Sequence, residues 1–208
     1  MKHLKKKILF IFDLDGVIFD SKKNMEYAWN KSKKKFNLKI FFNLYFKKIG
    51  MPFLRILDSL NVEPDNSIYK CFKQSSLEKI NLIKPYKYTI NQLKLLKKNR
   101  INFSIVTSKD LKRTKYLLNK FNIKPNSIHC PNNKLRGKPF PDHLLASFKK
   151  NKVKAKNAYY FGDMEVDFQA AKNAKIKFVF AKYGYGKTNK KYKFTISNFK
   201  EINKYINY

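Results

Sequence analysis

The segment ILFIFDLDGV, residues 8–17, joins a run of five apolar residues to two aspartates that are two positions apart. Such a run is typical of a strand buried on both faces of a parallel sheet, although a buried helix has a similar composition. In extended backbone, side chains two positions apart point the same way, so Asp13 and Asp15 would leave the strand together. We expect them at the carboxyl edge of a sheet, where open α/β folds bind their ligands.

Two neighbouring carboxylates repel each other and resist joint ionisation unless a cation or hydrogen bonds compensate. This pair therefore predicts a positive group nearby. An exposed Asp-x-Asp-Gly turn after a core strand explains the same fragment, and the segment alone supports the two interpretations equally.

From about residue 86 onwards, helical periodicity alternates with short apolar runs. This alternation predicts right-handed βαβ units and a parallel sheet covered on both faces. The fold class is thus α/β, with a Rossmann-like parallel sheet flanked by helices. The predicted strands are 101–106, 158–161, 178–180 and 194–196, and the predicted helices are 90–97, 111–121, 142–150, a segment through Phe168 and Ala174, and 199–206.

Residues 18–84 carry a different pattern, with apolar stripes at helical spacing and no strand signal. The stripes run through Met25 and Trp29, then from Phe42 to Ile49, and a break at Gly50-Met51-Pro52 separates them from the next stripe. The sequence therefore predicts an inserted all-helical module at 18–84, within an α/β unit formed by 1–17 and 85–208.

Polar residues follow three of the predicted strands: Asp13 and Asp15, then Thr107 and Ser108, then Asp163. Parallel strands share one carboxyl edge, so these residues should meet in a single crevice. Six of the 14 acidic residues fall in two short windows: Asp13, Asp15, Asp20, Asp163, Glu165 and Asp167. Carboxylate and carbonyl oxygens suit Mg²⁺, which keeps several waters and often binds a substrate phosphate.

Lys138 precedes Pro139, whose ring biases the lysine toward extended backbone ahead of a helix. Its ammonium would neutralise the carboxylates and a phosphoryl oxygen. For one lysine among so many, a solvated surface position is the more common situation. Only its place in the ordered set of polar residues favours a role in the site.

These residues, taken in order, form Asp13-x-Asp15-Gly16-Val17, Thr107-Ser108, Lys138-Pro139 and Gly162-Asp163-x-x-x-Asp167. This set resembles the four motifs of the haloacid dehalogenase-like hydrolase superfamily and spans nearly the whole chain. In having a long interval between the first two motifs, the chain resembles the helical-cap subgroup of this superfamily. That subgroup includes phosphoglycolate phosphatase-like and β-phosphoglucomutase-like members. The 18–84 module is then the cap.

The resemblance implies a Mg²⁺-dependent phosphatase acting on a small phosphorylated metabolite, with phosphoglycolate or a sugar phosphate as candidates. Asp13 would be the nucleophile that forms an aspartyl-phosphate, and Asp15 the general acid and base. Thr107, Ser108 and Lys138 would bind the substrate. The metal ligands would be the Asp13 carboxylate, the Asp15 backbone carbonyl, Asp163 and Asp167. Dehalogenating members lack the second aspartate, so Asp15 favours phosphoryl transfer.

Two other functions stay open at this stage. A sugar phosphomutase shares the same core and cap type. A basic nucleic-acid-binding protein with a vestigial site is the alternative from another class, because the formal net charge is +33. However, only four of the 47 basic residues are arginine, the residue preferred for phosphate recognition, and a lysine-rich codon bias explains the charge equally well. A nucleic-acid partner is therefore disfavoured.

The apolar run after the basic start is too short for a cleaved signal, which needs about 7 to 15 apolar residues, or for a membrane span of about 20. Cys71 and Cys130 have no C-x-x-C spacing, which suits a reducing compartment. The sequence thus predicts a cytoplasmic protein without a membrane partner, and it leaves the oligomeric state open.

Overall fold

The computed structural model describes residues 7–206, which contain a six-stranded parallel sheet and a two-stranded antiparallel pair. In chain order the strands are β1 (Leu9–Phe12), β2 (Phe19–Asp20), β3 (Lys84–Pro85), β4 (Asn102–Val106), β5 (Ser127–His129), β6 (Ala158–Gly162), β7 (Lys177–Ala181) and β8 (Thr195–Ile196). The α-helices are α1 (Lys22–Lys35), α2 (Phe42–Phe46), α3 (Phe53–Asp58), α4 (Asn66–Glu78), α5 (Thr89–Lys98), α6 (Leu111–Lys120), α7 (Asp142–Asn151) and α8 (Glu165–Asn173).

The parallel sheet has the order β5-β4-β1-β6-β7-β8, so β1 lies in its interior. All residues of β1 are fully buried, because helices cover both faces. Phe10 and Phe12 pack into one core cluster, and Leu9 and Ile11 pack into the cluster on the other face. The predicted Rossmann-like sheet is confirmed, and its covered faces explain why β1 reads as an unbroken apolar run.

Helices α1 to α4 lie between β2 and β3 and have a core of their own, in which Trp29 stacks on Tyr45 with ring centroids 4.3 Å apart. Asn24 of α1 donates from its amide to the carbonyls of Ser76 and Lys79, which fastens α1 to the end of α4. The helical cap is thus present, and its sequence stripes match this core.

The short strands β2, β3 and β5 and the C-terminal helical segment differ from the sequence-based prediction. β2 falls inside the segment predicted to lack strands, and it pairs antiparallel with β3 where the chain enters and leaves the cap. Two-residue strands are too short to show alternation. The half-buried edge strand β5 was not predicted, and the C-terminal helical segment is a 3-10 helix at Phe199–Tyr205 rather than an α-helix.

Within residues 7–206, none of the helices combines the length and the apolar character needed to cross a membrane. The basic segment at residues 1–6 lies outside the described residues. Cys71 and Cys130 are free thiols.

Candidate active site

The carboxyl ends of three adjacent strands bring the predicted site residues together. Phe12 of β1 lies level with Ile105 of β4 and Phe161 of β6. The chain therefore places Asp13, Thr107 and Asp163 side by side at this edge, all of them buried. This is the crevice that the sequence pattern predicted.

Among residues 7–206, Asp13, Asp163 and Asp167 form a cluster in which one carboxylate oxygen from each lies within 4.8 Å of the others. Asp167 is held by the backbone N–H groups of Asp163 and Met164, at 3.2 and 3.0 Å, and by the Tyr160 hydroxyl at 2.7 Å. Hydrogen bonds from three donors fix this carboxylate in place.

Asp163 is fully buried, and its Oδ2 accepts a 2.7 Å hydrogen bond from the Tyr185 N–H. Its Oδ1 is buried and has no hydrogen-bond partner in the part of the chain that the structure describes. A buried carboxylate oxygen without a donor is costly unless a cation or donor reaches it. The all-oxygen cluster with this orphaned atom therefore fits Mg²⁺.

Lys138 is buried rather than solvated, and its ammonium lies 2.9 Å from Asp13 Oδ1 and 2.7 Å from Asp167 Oδ1. Burial raises the pKa of Asp13 to about 7, against the opposing charge of Lys138. Burial, and then the charges of Asp167 and Asp13, raise the pKa of Asp163 well above its usual range. The single charge of Lys138 does not balance the three buried aspartates. The cluster is therefore short of positive charge, as expected for a cation site.

Glycines of two loops leave room for Asp163. A Cβ on Gly16, whose φ is +86°, would lie 2.2 Å from Asp163 Oδ2, and a Cβ on Gly184 would lie 2.3 Å from the Asp163 Cβ. The Gly184-Tyr185-Gly186 loop therefore forms a wall of the acidic cluster. The sequence shows these glycines, but only the fold shows what they contact.

Asp15 lies beside the cluster and is engaged through both carboxylate oxygens. Its Oδ1 accepts a hydrogen bond from the Ser21 hydroxyl, and its Oδ2 is 3.1 Å from the buried ammonium of Lys109. The Tyr185 hydroxyl accepts from the Ser21 N–H. Sequence reasoning missed Lys109, although it directly follows Thr107-Ser108.

A cavity of about 60 Å³ lies between this edge of the sheet and the cap. Ser108 lines it and donates to the carbonyl of Gly50, so the second motif touches the cap turn directly. Arg55 of the cap is exposed, and its guanidinium carbon lies 5.4 Å from the centroid of the Phe140 ring. The lining comprises Asp13, Asp15, Thr107, Ser108, Lys109, Arg113 and Met164, and from the cap Met25, Tyr45, Ile49, Gly50, Met51, Phe53, Ile56, Tyr69 and Phe72.

Comparisons with known proteins agree with this architecture. Residues 10–181 match the family model described as haloacid dehalogenase-like hydrolase. A phosphoglycolate phosphatase of Aquifex aeolicus (strain VF5) is 26% identical over 186 residues, which cover 87% of this chain and 87% of that protein.

Solved structures share the fold over nearly their full length. A hydrolase from Pseudomonas syringae aligns with a TM-score of 0.85 and 22% identity, over 96% of this chain and 98% of that one. A haloacid dehalogenase-like family hydrolase from Streptococcus pneumoniae aligns with a TM-score of 0.82 and 17% identity, over 95% of this chain and 97% of that one. CbbY from Rhodobacter sphaeroides, in complex with phosphate, aligns with a TM-score of 0.80 and 14% identity, over 93% of this chain and 95% of that one.

Proposed function

Because this chain belongs to the haloacid dehalogenase-like hydrolase family, we propose that it is a Mg²⁺-dependent phosphatase that uses Asp13 as its nucleophile. Membership confirms the resemblance inferred from the four motifs and the predicted enzyme class. The observation that carries the proposal is the buried acidic cluster, which is short of positive charge and meets a cavity at Asp13.

The residues that would hold the ion are Asp13, Asp163 and Asp167, together with the backbone carbonyl of Asp15. Their oxygens match the preference of Mg²⁺, and the unpartnered Oδ1 of Asp163 supports this set. Bound there, Mg²⁺ would neutralise the nucleophile and the phosphoryl oxygens during transfer. Lys138 supplies a second positive charge, 2.9 Å from Asp13 Oδ1.

In the proposed reaction, the Asp13 carboxylate attacks the phosphorus of the ester and forms an aspartyl-phosphate. The leaving alcohol takes a proton from the carboxyl group of Asp15. Asp15 then removes a proton from the water that attacks the phosphorus, and inorganic phosphate leaves with Asp13 restored. Ser21 and Lys109 fix the position of Asp15 through its two oxygens.

The cavity supports a small substrate. A water molecule needs roughly 10–15 Å³ of such space, so about 60 Å³ accommodates only a few atoms beside the phosphoryl group. Thr107 and Ser108 line the cavity beside Asp13 and would hold the phosphoryl oxygens. We infer a short phosphorylated metabolite, with phosphoglycolate favoured over a sugar phosphate because the relative from Aquifex aeolicus is a phosphoglycolate phosphatase.

We further propose that residues 1–17 and 85–208 form the catalytic unit and that 18–84 form the cap. The β2–β3 pair, where both connections cross, supports this division. A closed cap excludes water other than the attacking molecule. The cytoplasmic location stays a prediction.

The test is hydrolysis of a chromogenic phosphate ester with and without Mg²⁺, followed by a panel of phosphorylated metabolites. We expect Mg²⁺-dependent turnover, loss of turnover in Asp13→Asn, and unchanged turnover in the control Asp58→Asn, which removes an exposed cap carboxylate. Turnover by Asp13→Asn would contradict the mechanism. Isomerisation of a sugar phosphate that requires an added sugar bisphosphate, without net release of phosphate, would indicate a phosphomutase instead.

A further inference from the structure

Arg113 is a buried cation in the wall of the active-site cavity that the four motifs do not explain. It lies on α6, is 3% exposed and lines the cavity together with Asp13. Its Nε pairs with the Asp110 carboxylate, which also accepts the Arg113 N–H at 3.0 Å. The Asp110 carboxylate and the backbone at the start of α6 therefore hold the side chain in one orientation.

The other edge of the guanidinium is incomplete. Nη1 of Arg113 is buried, and within residues 7–206 it has no hydrogen-bond partner. Nearly all buried donors in folded proteins are paired, so an orphaned one at a cavity wall calls for an acceptor from outside the chain. A planar guanidinium matches the geometry of a carboxylate better than any other side chain does.

The surroundings of Arg113 favour an anion as this acceptor. The cap presents an aromatic wall, with the Phe72 ring 5.5 Å from the guanidinium carbon and the half-buried Tyr69 beside the same cavity. Burial raises the pKa of Tyr69, and the charge of Arg113 together with a side-chain hydrogen bond between the two residues opposes that rise, so the orphaned Nη1 is the part of the guanidinium left for a ligand. At a side chain that is 3% exposed, a charge-assisted hydrogen bond is much stronger than in water.

We propose that Arg113 is a specificity residue that binds a carboxylate on the substrate while Asp13 attacks the phosphoryl group at the other end of the same molecule. This rests on the proposed function. The ligand class is a short phosphorylated hydroxy acid, because a cavity of about 60 Å³ has little space for a second phosphoryl group or a sugar ring.

The experiment compares 2-phosphoglycolate with ethyl phosphate, which has the same two-carbon length and a methyl group in place of the carboxylate. Wild-type protein with Mg²⁺ should prefer the carboxylated ester. Arg113→Met should lower kcat/KM for it by at least about 100-fold and change kcat/KM for ethyl phosphate by less than about 3-fold. Arg113→Lys should restore only part of the preference, because the positive charge remains but the planar guanidinium that can bind both carboxylate oxygens is lost.

Arg55→Met is the matched control, because it removes an exposed arginine of the cap, and it should leave both substrates unchanged. If Arg113→Met lowers kcat/KM equally for both esters, Arg113 only docks the cap on the core and the proposal is wrong. A two-carbon bisphosphate serves as a third substrate, and a loss confined to it would overturn the assignment to a carboxylate.

Ethyl phosphate separates this proposal from the one on which it rests. Its Mg²⁺-dependent hydrolysis, abolished in Asp13→Asn, tests the phosphatase alone and also reports that each Arg113 variant is folded. If wild-type protein hydrolyses it without any preference for the carboxylated ester, the role of Arg113 is refuted and the phosphatase stands. If wild-type protein hydrolyses neither ester, both proposals fail.

Discussion

Asp163→Asn should stabilise the protein in the absence of a metal while abolishing its response to Mg²⁺. The wild-type carboxylate is fully buried, with Oδ1 lacking a partner among the described residues. An amide keeps the acceptor for the Tyr185 N–H and turns the orphaned oxygen into a donor facing Asp13 and Asp167. The substitution removes a charge that only a proton or a bound cation would neutralise.

The magnitude follows from the cost of an unpaired buried charge. A buried polar group without a partner costs about 1–3 kcal/mol, so we expect Asp163→Asn to raise the free energy of unfolding by about that amount at pH 8 in EDTA. An acid whose pKa is raised on folding loses stability as the pH rises above its unfolded pKa, 3.8 for Asp163. The gain should therefore vanish near pH 3 and be largest above neutral pH.

The assay is urea denaturation at pH 8 and pH 3, each in EDTA, and then at pH 8 with Mg²⁺. Addition of Mg²⁺ should raise the unfolding free energy of the wild type and leave that of Asp163→Asn nearly unchanged. Asp58→Asn, which removes an exposed carboxylate, should follow the wild type throughout. A variant that is less stable in EDTA at pH 8, or that gains equally from Mg²⁺, would refute this account of the cluster.

Further predictions concern the neighbours of Asp163. Thermal shift measurements should show a larger stabilisation by Mg²⁺ at pH 8 than at pH 6. Burial raises the pKa of Asp13 to about 7, so at pH 6 the ion must compete with a proton for this carboxylate. Equal shifts at the two pH values would contradict this. Lys138→Met removes the ammonium that lies between the buried carboxylates of Asp13 and Asp167 and should cost about 3–5 kcal/mol in urea titrations. A loss below about 1 kcal/mol would show that these ion pairs are solvated. Gly184→Ala should weaken Mg²⁺ binding measured by calorimetry, because its Cβ would lie 2.3 Å from the Cβ of Asp163. In Asp15→Asn, the first-turnover transfer from an alkyl phosphate should slow far more than the burst of dinitrophenolate from a dinitrophenyl phosphate, whose leaving group needs no proton. An equal loss in this first step would exclude Asp15 as the acid.

The sequence predicted the parts of the site that depend on strand ends. An apolar strand followed by Asp13-x-Asp15 needs only local periodicity, and the parallel sheet then brings Thr107 and Asp163 to the same edge. The cap was predictable because its helical stripes are long enough to show a period.

The features that escaped prediction depend on contacts between distant segments. Nothing local distinguishes the buried Lys109 from the other lysines, and nothing local separates Arg113 from the exposed Arg55. The glycine loop at 184–186 meets Asp163 only after the chain has folded. The two-residue strands β2 and β3 were too short to give any signal.

The central claim is that Asp13 receives the phosphoryl group. The most direct measurement is a rapid acid quench of enzyme, Mg²⁺ and 2-phosphoglycolate, followed by mass spectrometric mapping of the protein. We predict a phosphorylated peptide with the modification on Asp13, formed within one turnover and absent from Asp13→Asn. Turnover without any phosphorylated peptide, or with the group on another residue, would contradict it.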